Sequence, residues 1–226
     1  MARASKPTSK STASKAAGPK PTLVILVRHG QTTTTGQVLP GRAPGLHLAE
    51  VGLAQADKAA GRLGLLPDVA AVYASPLERT RETAAPIAKA LGLRTRIAKG
   101  LIEADFGEWT GAKLADLMKL PEWRTVQSTP SQFRFPKGES FIEMQTRIVG
   151  QLDQLVAQHP GQTIVCVSHA DPIKAVVAHC SGTHLDLFQR IVISPCSVTP
   201  ILMGHGAPIV LAVNSTGDDL TSLTPS

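Results

Sequence analysis

The run Leu23-Val24-Ile25-Leu26-Val27, broken at once by Arg28-His29-Gly30, constrains this chain more than any other feature. Five contiguous apolar residues, many of them β-branched, with proline and threonine before them, read as a short strand buried on both faces. Such a strand belongs inside an α/β sheet. Its abrupt polar end holds a guanidinium and an imidazole at the C-terminal edge, where open α/β sheets place their ligands. A strand end carrying an exposed basic pair is the plain alternative, and these residues alone do not separate the two.

The rest of the chain repeats the pattern. A Thr, Gly and Pro-rich loop spans residues 31–48. Residues 49–65 read as a helix with Val51, Leu53, Ala56, Ala60 and Leu63 as its apolar stripe. Residues 68–74 read as a strand, and Ser75-Pro76-Leu77-Glu78 as a helix start, with Ser75 as cap and Glu78 closing a capping box. That helix is expected to reach about Leu91, with a short strand over 94–98 after it. Residues 101–111 are loop-like and 112–137 irregular, with a short helix at 114–120. Ser140 and Glu143 open a long helix buried through Met144, Ile148, Leu152 and Leu155. A second buried strand, 163–167, ends in Ser168-His169, and a helix follows from about Pro172 to Cys180. Segments 191–193, 198–203 and 209–213 complete the expected strands. The alternation predicts a three-layer α/β/α sandwich with a mostly parallel central sheet.

Two buried strands thus end in histidine, His29 and His169. Arg79 falls in the first turns of the helix after residues 68–74, where free amides and a partial positive charge gather. Arg28, Arg79 and the two imidazoles would form a cationic pocket with fork-shaped donors suited to a phosphoryl group. Flanking arginines keep an imidazole neutral, and a neutral imidazole is a nucleophile. A leaving alkoxide then needs an acid. Glu103, Asp105 and Glu108 all qualify, and the residues alone do not choose among them.

The segments LVRHGQT (26–32), YASPLERTRETA (73–84), LIEADFGEWTG (101–111), PKGES (136–140) and VSHADPIK (167–174) together resemble the histidine phosphatase superfamily, also called phosphoglycerate mutase-like. The likeness runs from about residue 22 to 214. It implies that His29 forms a phosphohistidine, that Arg28, Arg79 and His169 complete the phosphate pocket, and that Glu103 is the proton donor. It places Gln31 and Thr32 at the pocket mouth and the Ala170 amide on the phosphate. No metal and no cofactor is implied. Two positions depart from the pattern. Thr35 stands where many members carry asparagine, and Ala170-Asp171 follows a histidine usually followed by glycine. Asp171 reads first as a cap for the helix near Pro172; orienting His169 or repelling anions is the functional alternative.

Composition narrows the partners. With 226 residues, 42% hydrophobic and 18% charged, the chain can bury one sizeable core, expected over residues 22–214, with a C-terminal tail over 215–226. The first 20 residues hold five of the six surplus positive charges and no acid, so the domain itself is near neutral. Residues 1–21 read as a disordered basic tail, open to weak nucleic-acid binding and little else. No run is long enough for a membrane. Three cysteines without CxxC spacing argue against disulfides and zinc, and fit a reducing cytoplasm. Phe106 and Trp109 read as packing residues, Arg42 as solvated, and Arg81 as a salt-bridge partner. The expectation is a metal-independent phosphomonoester hydrolase acting on a small phosphorylated metabolite. A cofactor-dependent phosphoglycerate mutase, disfavoured by the short segment before PKGES and by Thr35, is the first alternative. A non-catalytic phosphate-binding scaffold is the second.

Overall fold

Strand β1 (Thr22–Arg28) forms on the apolar run, every residue up to Val27 buried. The computed structural model describes residues 20–204 and 206–217. The basic tail falls outside these up to position 19, as do His205 and the last nine residues. After β1 the chain continues through α1 (Glu50–Leu63), β2 (Val69–Ala74), α2 (Glu78–Ala90) and β3 (Thr95–Ile97). Two short helices, α3 (Leu114–Leu117) and α4 (Pro121–Ser128), precede the long α5 (Phe141–Gln158). Then come β4 (Thr163–Ser168), α6 (Ala170–Cys180), β5 (Val198–Met203) and β6 (Ile209–Val210).

Among the described residues six strands form one sheet in the order β3-β2-β4-β1-β5-β6. The pairs β2/β3, β2/β4 and β1/β4 are parallel; β5 runs antiparallel to both neighbours. The sheet separates two apolar layers. Leu23, Ile25 and Val27 face Ala60 and Leu63 of α1 and Ala84 and Ile87 of α2. Val24 and Leu26 face Ile148 and Leu152 of α5 and Ile173 and Val176 of α6. The result is the expected three-layer sandwich. A third cluster, built on Phe106, Trp109, Phe133, Phe135, Phe141 and Phe188, closes one end and absorbs the two aromatic residues expected to pack.

Several local readings need correction. The stripe on α1 is rotated: Val51 and Leu53 are about half exposed, and Gly52, Ala56, Ala59, Ala60 and Leu63 form the buried face. Gly52 is needed there, because a Cβ would collide with the backbone of Gln31 in the loop after β1. Helix α2 starts at Glu78 with Leu77 as N-cap and no side-chain cap; Ser75 lies two residues before the cap, its hydroxyl accepting from the Leu77 amide at 3.4 Å and bonding to His169. Residues 191–193 are not a strand; the place beside β1 is taken by β5. Asp171 does not cap α6. His169 is the N-cap residue, and Asp171 lies within the first turn. Helix α4 sits in the stretch read as irregular, with Pro121 in its first turn. The Ser140–Glu143 capping box forms in both directions, and the predicted buried positions of α5 are buried.

Candidate active site

Because β1, β2, β3 and β4 run parallel, the residues that leave their C-terminal ends meet at one edge. His29 follows β1, Arg79 follows β2, Glu103 follows β3 and His169 follows β4. Arg28 and Ser168 are register partners at the ends of the two central strands. The His29 and His169 rings lie edge to face with centroids 5.2 Å apart.

His29 is buried, and its Nδ1 lies 2.7 Å from the Gly30 carbonyl oxygen. A carbonyl only accepts, so Nδ1 carries the proton and Nε2 keeps its lone pair. Burial first, then the charges of Arg79 and Arg28, push the pKa of His29 down to about 3. His169 is fully buried and pushed well below the ordinary range by burial, Arg79 and His29. Its Nε2 lies 2.8 Å from the Ser75 hydroxyl, which accepts from the Leu77 amide at 3.4 Å and donates its proton to the ring, so the His169 proton sits on Nδ1. Both imidazoles are therefore neutral at physiological pH.

The arginines are held at one end and open at the other. Arg28 donates through Nη1 to the Ile193 carbonyl at 2.7 Å, and Arg79 through Nη2 to the Gly41 carbonyl at 2.8 Å. Arg28 Nε, Arg79 Nε, Arg79 Nη1 and His169 Nδ1 are buried and find no partner among the described residues. Buried donors are almost always paired. Four without a protein acceptor, beside one neutral imidazole, are free to donate together to an oxyanion. The amide of Ala170, in the first turn of α6, belongs to the set that a helix leaves without an internal acceptor.

Glu103 faces His169, with Oε2 3.8 Å from Nδ1. Burial, then the nearby Asp171 carboxylate, raise its pKa to about 7, against the opposing pull of Arg79, the Ala104 amide and Arg28. A carboxyl poised there can both give and take a proton near neutral pH. Asp105 is instead tied to the Arg42 guanidinium at 3.4 Å, and Glu108 to Lys137 at 2.7 Å.

A cavity of about 360 Å³ opens over these groups, lined by Arg28, His29, Thr32, Thr35, Glu103 and Ala170 among others. Arg79 lies beneath it, fully buried. Gln31 does not line the cavity. Its amide donates to the Gln55 side chain and its carbonyl accepts from Ala49, which fixes the loop on α1. Thr35 accepts from the Thr32 amide at 2.8 Å and so shapes the loop beside the cavity. A larger groove, about 690 Å³, runs past His47, Glu78, Glu82 and Ile97. Its acids hold down the 31–48 loop: Glu78 accepts from the Gly45 amide, Glu82 from the Leu48 amide, and His47 pairs with Glu82. It contains no reactive constellation. Arg81 lines this groove and makes no ion pair among the described residues, contrary to expectation.

Sequence reasoning missed a clamp behind Glu103. Arg147 on α5 donates to the carbonyls of Gly100 at 2.7 Å and Ile102 at 2.8 Å, and reaches that of Glu103 at 3.3 Å. Arg42, expected to be solvated, donates to the Glu103 carbonyl at 2.8 Å. Glu139 bridges the two guanidiniums, accepting from Arg147 at 2.8 and 2.9 Å and from Arg42 at 3.0 Å. Ser168, at the end of β4, donates to the Leu101 carbonyl at 2.7 Å. The only sequence signal was the presence of Glu139 in the PKGES segment.

Fold and site together define an α/β protein in which two histidines, two arginines and a carboxyl converge at the C-terminal edge of the sheet. The sequence profile of the histidine phosphatase superfamily (branch 1) matches residues 24–216. The chain belongs to that superfamily. It is 34% identical over 201 residues to a bifunctional protein of Mycobacterium tuberculosis, covering 87% of this chain and 55% of that protein, so it spans about half of that relative's length. It is 33% identical over 198 residues to phosphoserine phosphatase 1 of Hydrogenobacter thermophilus, covering 85% and 92%. A solved structure of a phosphoserine phosphatase variant from Entamoeba histolytica, in complex with phosphoserine, superposes with a TM-score of 0.78 at 26% identity, covering 88% of this chain and all of that one.

Proposed function

We propose that this protein is a metal-independent phosphomonoester hydrolase working through a phosphohistidine on His29. The observation that carries the reading is the set of four buried, unpartnered donors beside an imidazole whose Nε2 keeps a free lone pair because Nδ1 is bonded to Gly30. In the first step Nε2 attacks phosphorus, the ester P–O bond breaks, and Glu103 gives its proton to the departing oxygen. In the second, Glu103 takes a proton from a water that attacks phosphorus; the P–N bond breaks and inorganic phosphate leaves. Arg28, Arg79, His169 and the Ala170 amide stabilise the charge on the equatorial oxygens in both steps. Thr32 borders the phosphate site through the loop. The relatives named as phosphoserine phosphatases support a hydrolase acting on a small phosphorylated metabolite. No helix among the described residues is long and apolar enough to cross a membrane. With three cysteines all unpaired, a cytoplasmic setting fits the chain best.

The test is hydrolysis of p-nitrophenyl phosphate in excess chelator. Wild type should turn over, and His29→Ala should lose about a thousandfold or more, as expected for loss of a nucleophile. Comparable activity in both would overturn the assignment.

A further inference from the structure

The cavity wall formed by α6 carries a charged pair, Asp171 and Lys174, to which the proposed phosphoryl transfer assigns no contact with the phosphoryl group. Asp171, Lys174 and Gln189 all line the cavity. Lys174 Nζ donates to Asp171 Oδ1 at 3.1 Å and to Gln189 Oε1 at 3.1 Å, and lies 5.7 Å from the centre of the Phe188 ring. The pair is mostly enclosed, with side-chain exposures of 21% for Asp171 and 17% for Lys174. The ammonium is thus satisfied by two acceptors and an aromatic face. The second oxygen of Asp171 accepts from no described residue. Leu39, Leu114, Ile191 and Ile193 make much of the remaining wall apolar. Among the described residues lining the cavity, the other permanent cation is Arg28, which the phosphate claims.

A substrate with a second anion would therefore place it near a carboxylate whose neighbouring cation is already paired. Resting on the phosphatase reading above, we propose that Asp171 is a specificity-determining residue, selecting phosphomonoesters whose organic part is apolar or neutral and turning away those whose organic part carries a net negative charge. The same placement disfavours a mutase, which must hold two phosphoryl groups on one substrate. A zwitterionic body such as that of phosphoserine is neutral overall and does not discriminate.

The matched probes are phenyl phosphate and 4-carboxyphenyl phosphate, similar in shape and in the acidity of the leaving phenol. With the full chain, wild type should favour the phenyl ester in kcat/KM by about tenfold, the scale of one partly screened charge repulsion. Asp171→Asn should shrink that preference to about threefold or less, through the KM of the carboxylated ester, and Lys174→Met should widen it. Any effect of Asp171→Asn on the acidity of Glu103 acts on both esters and cancels in the ratio. Equal use of both esters by wild type, or an unchanged ratio in Asp171→Asn, would overturn the proposal. Failure of wild type to hydrolyse either ester would instead strike the phosphatase reading on which it rests.

Discussion

Glu103 is a carboxylic acid placed where a carboxylate is poorly solvated, and its pKa of about 7 has direct consequences for rate. In the proposed mechanism the proton donor is lost as Glu103 ionises, so kcat/KM should fall on the alkaline side of pH 7. Glu103→Gln should remove that limb and slow turnover most for esters with poor leaving groups, measured across phenols of graded acidity. An equal loss across the series would count against the role. Stability follows the same sign. The fold favours protonated Glu103, so its contribution is full below the ordinary value of 4.5 and is lost as pH rises through about 7. His29 works in the opposite sense: the fold favours the neutral ring, and stability falls as pH drops from 6.5 toward about 3. His29, Arg28 and His169 were legible as a converging set because each ends or follows a buried strand. Arg79 was legible from a helix start. Glu103 could not be told from Asp105 and Glu108 by residue type alone; its burial beside Asp171, against the ion pairs of the other two, is what separates them. The roles of Arg42 and Arg147 were not legible because the carbonyls they hold lie 44 to 61 residues away in sequence.

At the scale of elements, the segment bearing Glu103 is fixed from behind by guanidiniums on two different parts of the chain, joined through Glu139. Glu139→Ala leaves both without their shared acceptor. It should cost about 2 kcal/mol in urea unfolding, typical for a paired, largely buried charge, and lower kcat more than it raises KM. A change confined to KM would mean that the clamp does not position the acid. The capping box of α5 is simpler. Ser140→Ala should cost about 1 kcal/mol and leave kcat/KM nearly unchanged, because neither Ser140 nor Glu143 lines the cavity. That box was legible because both partners lie within four residues. The start of α2 differs from the expectation: Ser75 is a good cap by type, but the helix begins three residues later, and the Ser75 hydroxyl binds the Leu77 amide and His169 instead. Residues 191–193 have strand-like composition, yet the Ile193 carbonyl holds Arg28 instead of joining a ladder.

At the scale of the whole molecule, the pocket exists because four parallel strands release their chains on one side. Sheet order was not legible. Nothing local says that β4, formed late in the chain, inserts between β1 and β2; that follows from packing two helix layers over both faces. A pocket lined by unpartnered donors should be stabilised by the anion it is built to hold. Inorganic phosphate at about a hundred times its Kd should add about 2.7 kcal/mol, or roughly 5–10 °C in Tm. Arg79→Ala should abolish that increment in thermal unfolding; an equal rise in the variant would place phosphate elsewhere.

The most direct test of the central claim is rapid-quench trapping of the phosphoenzyme during turnover of a phosphomonoester, followed by peptide mapping under alkaline conditions that preserve phosphohistidine. The structure predicts up to one phosphoryl group per chain, acid-labile, on His29, absent in His29→Ala, and accumulating most when Glu103→Gln slows the attack of water. Steady turnover with no trapped phosphoryl group, or with the label on another residue, would contradict it.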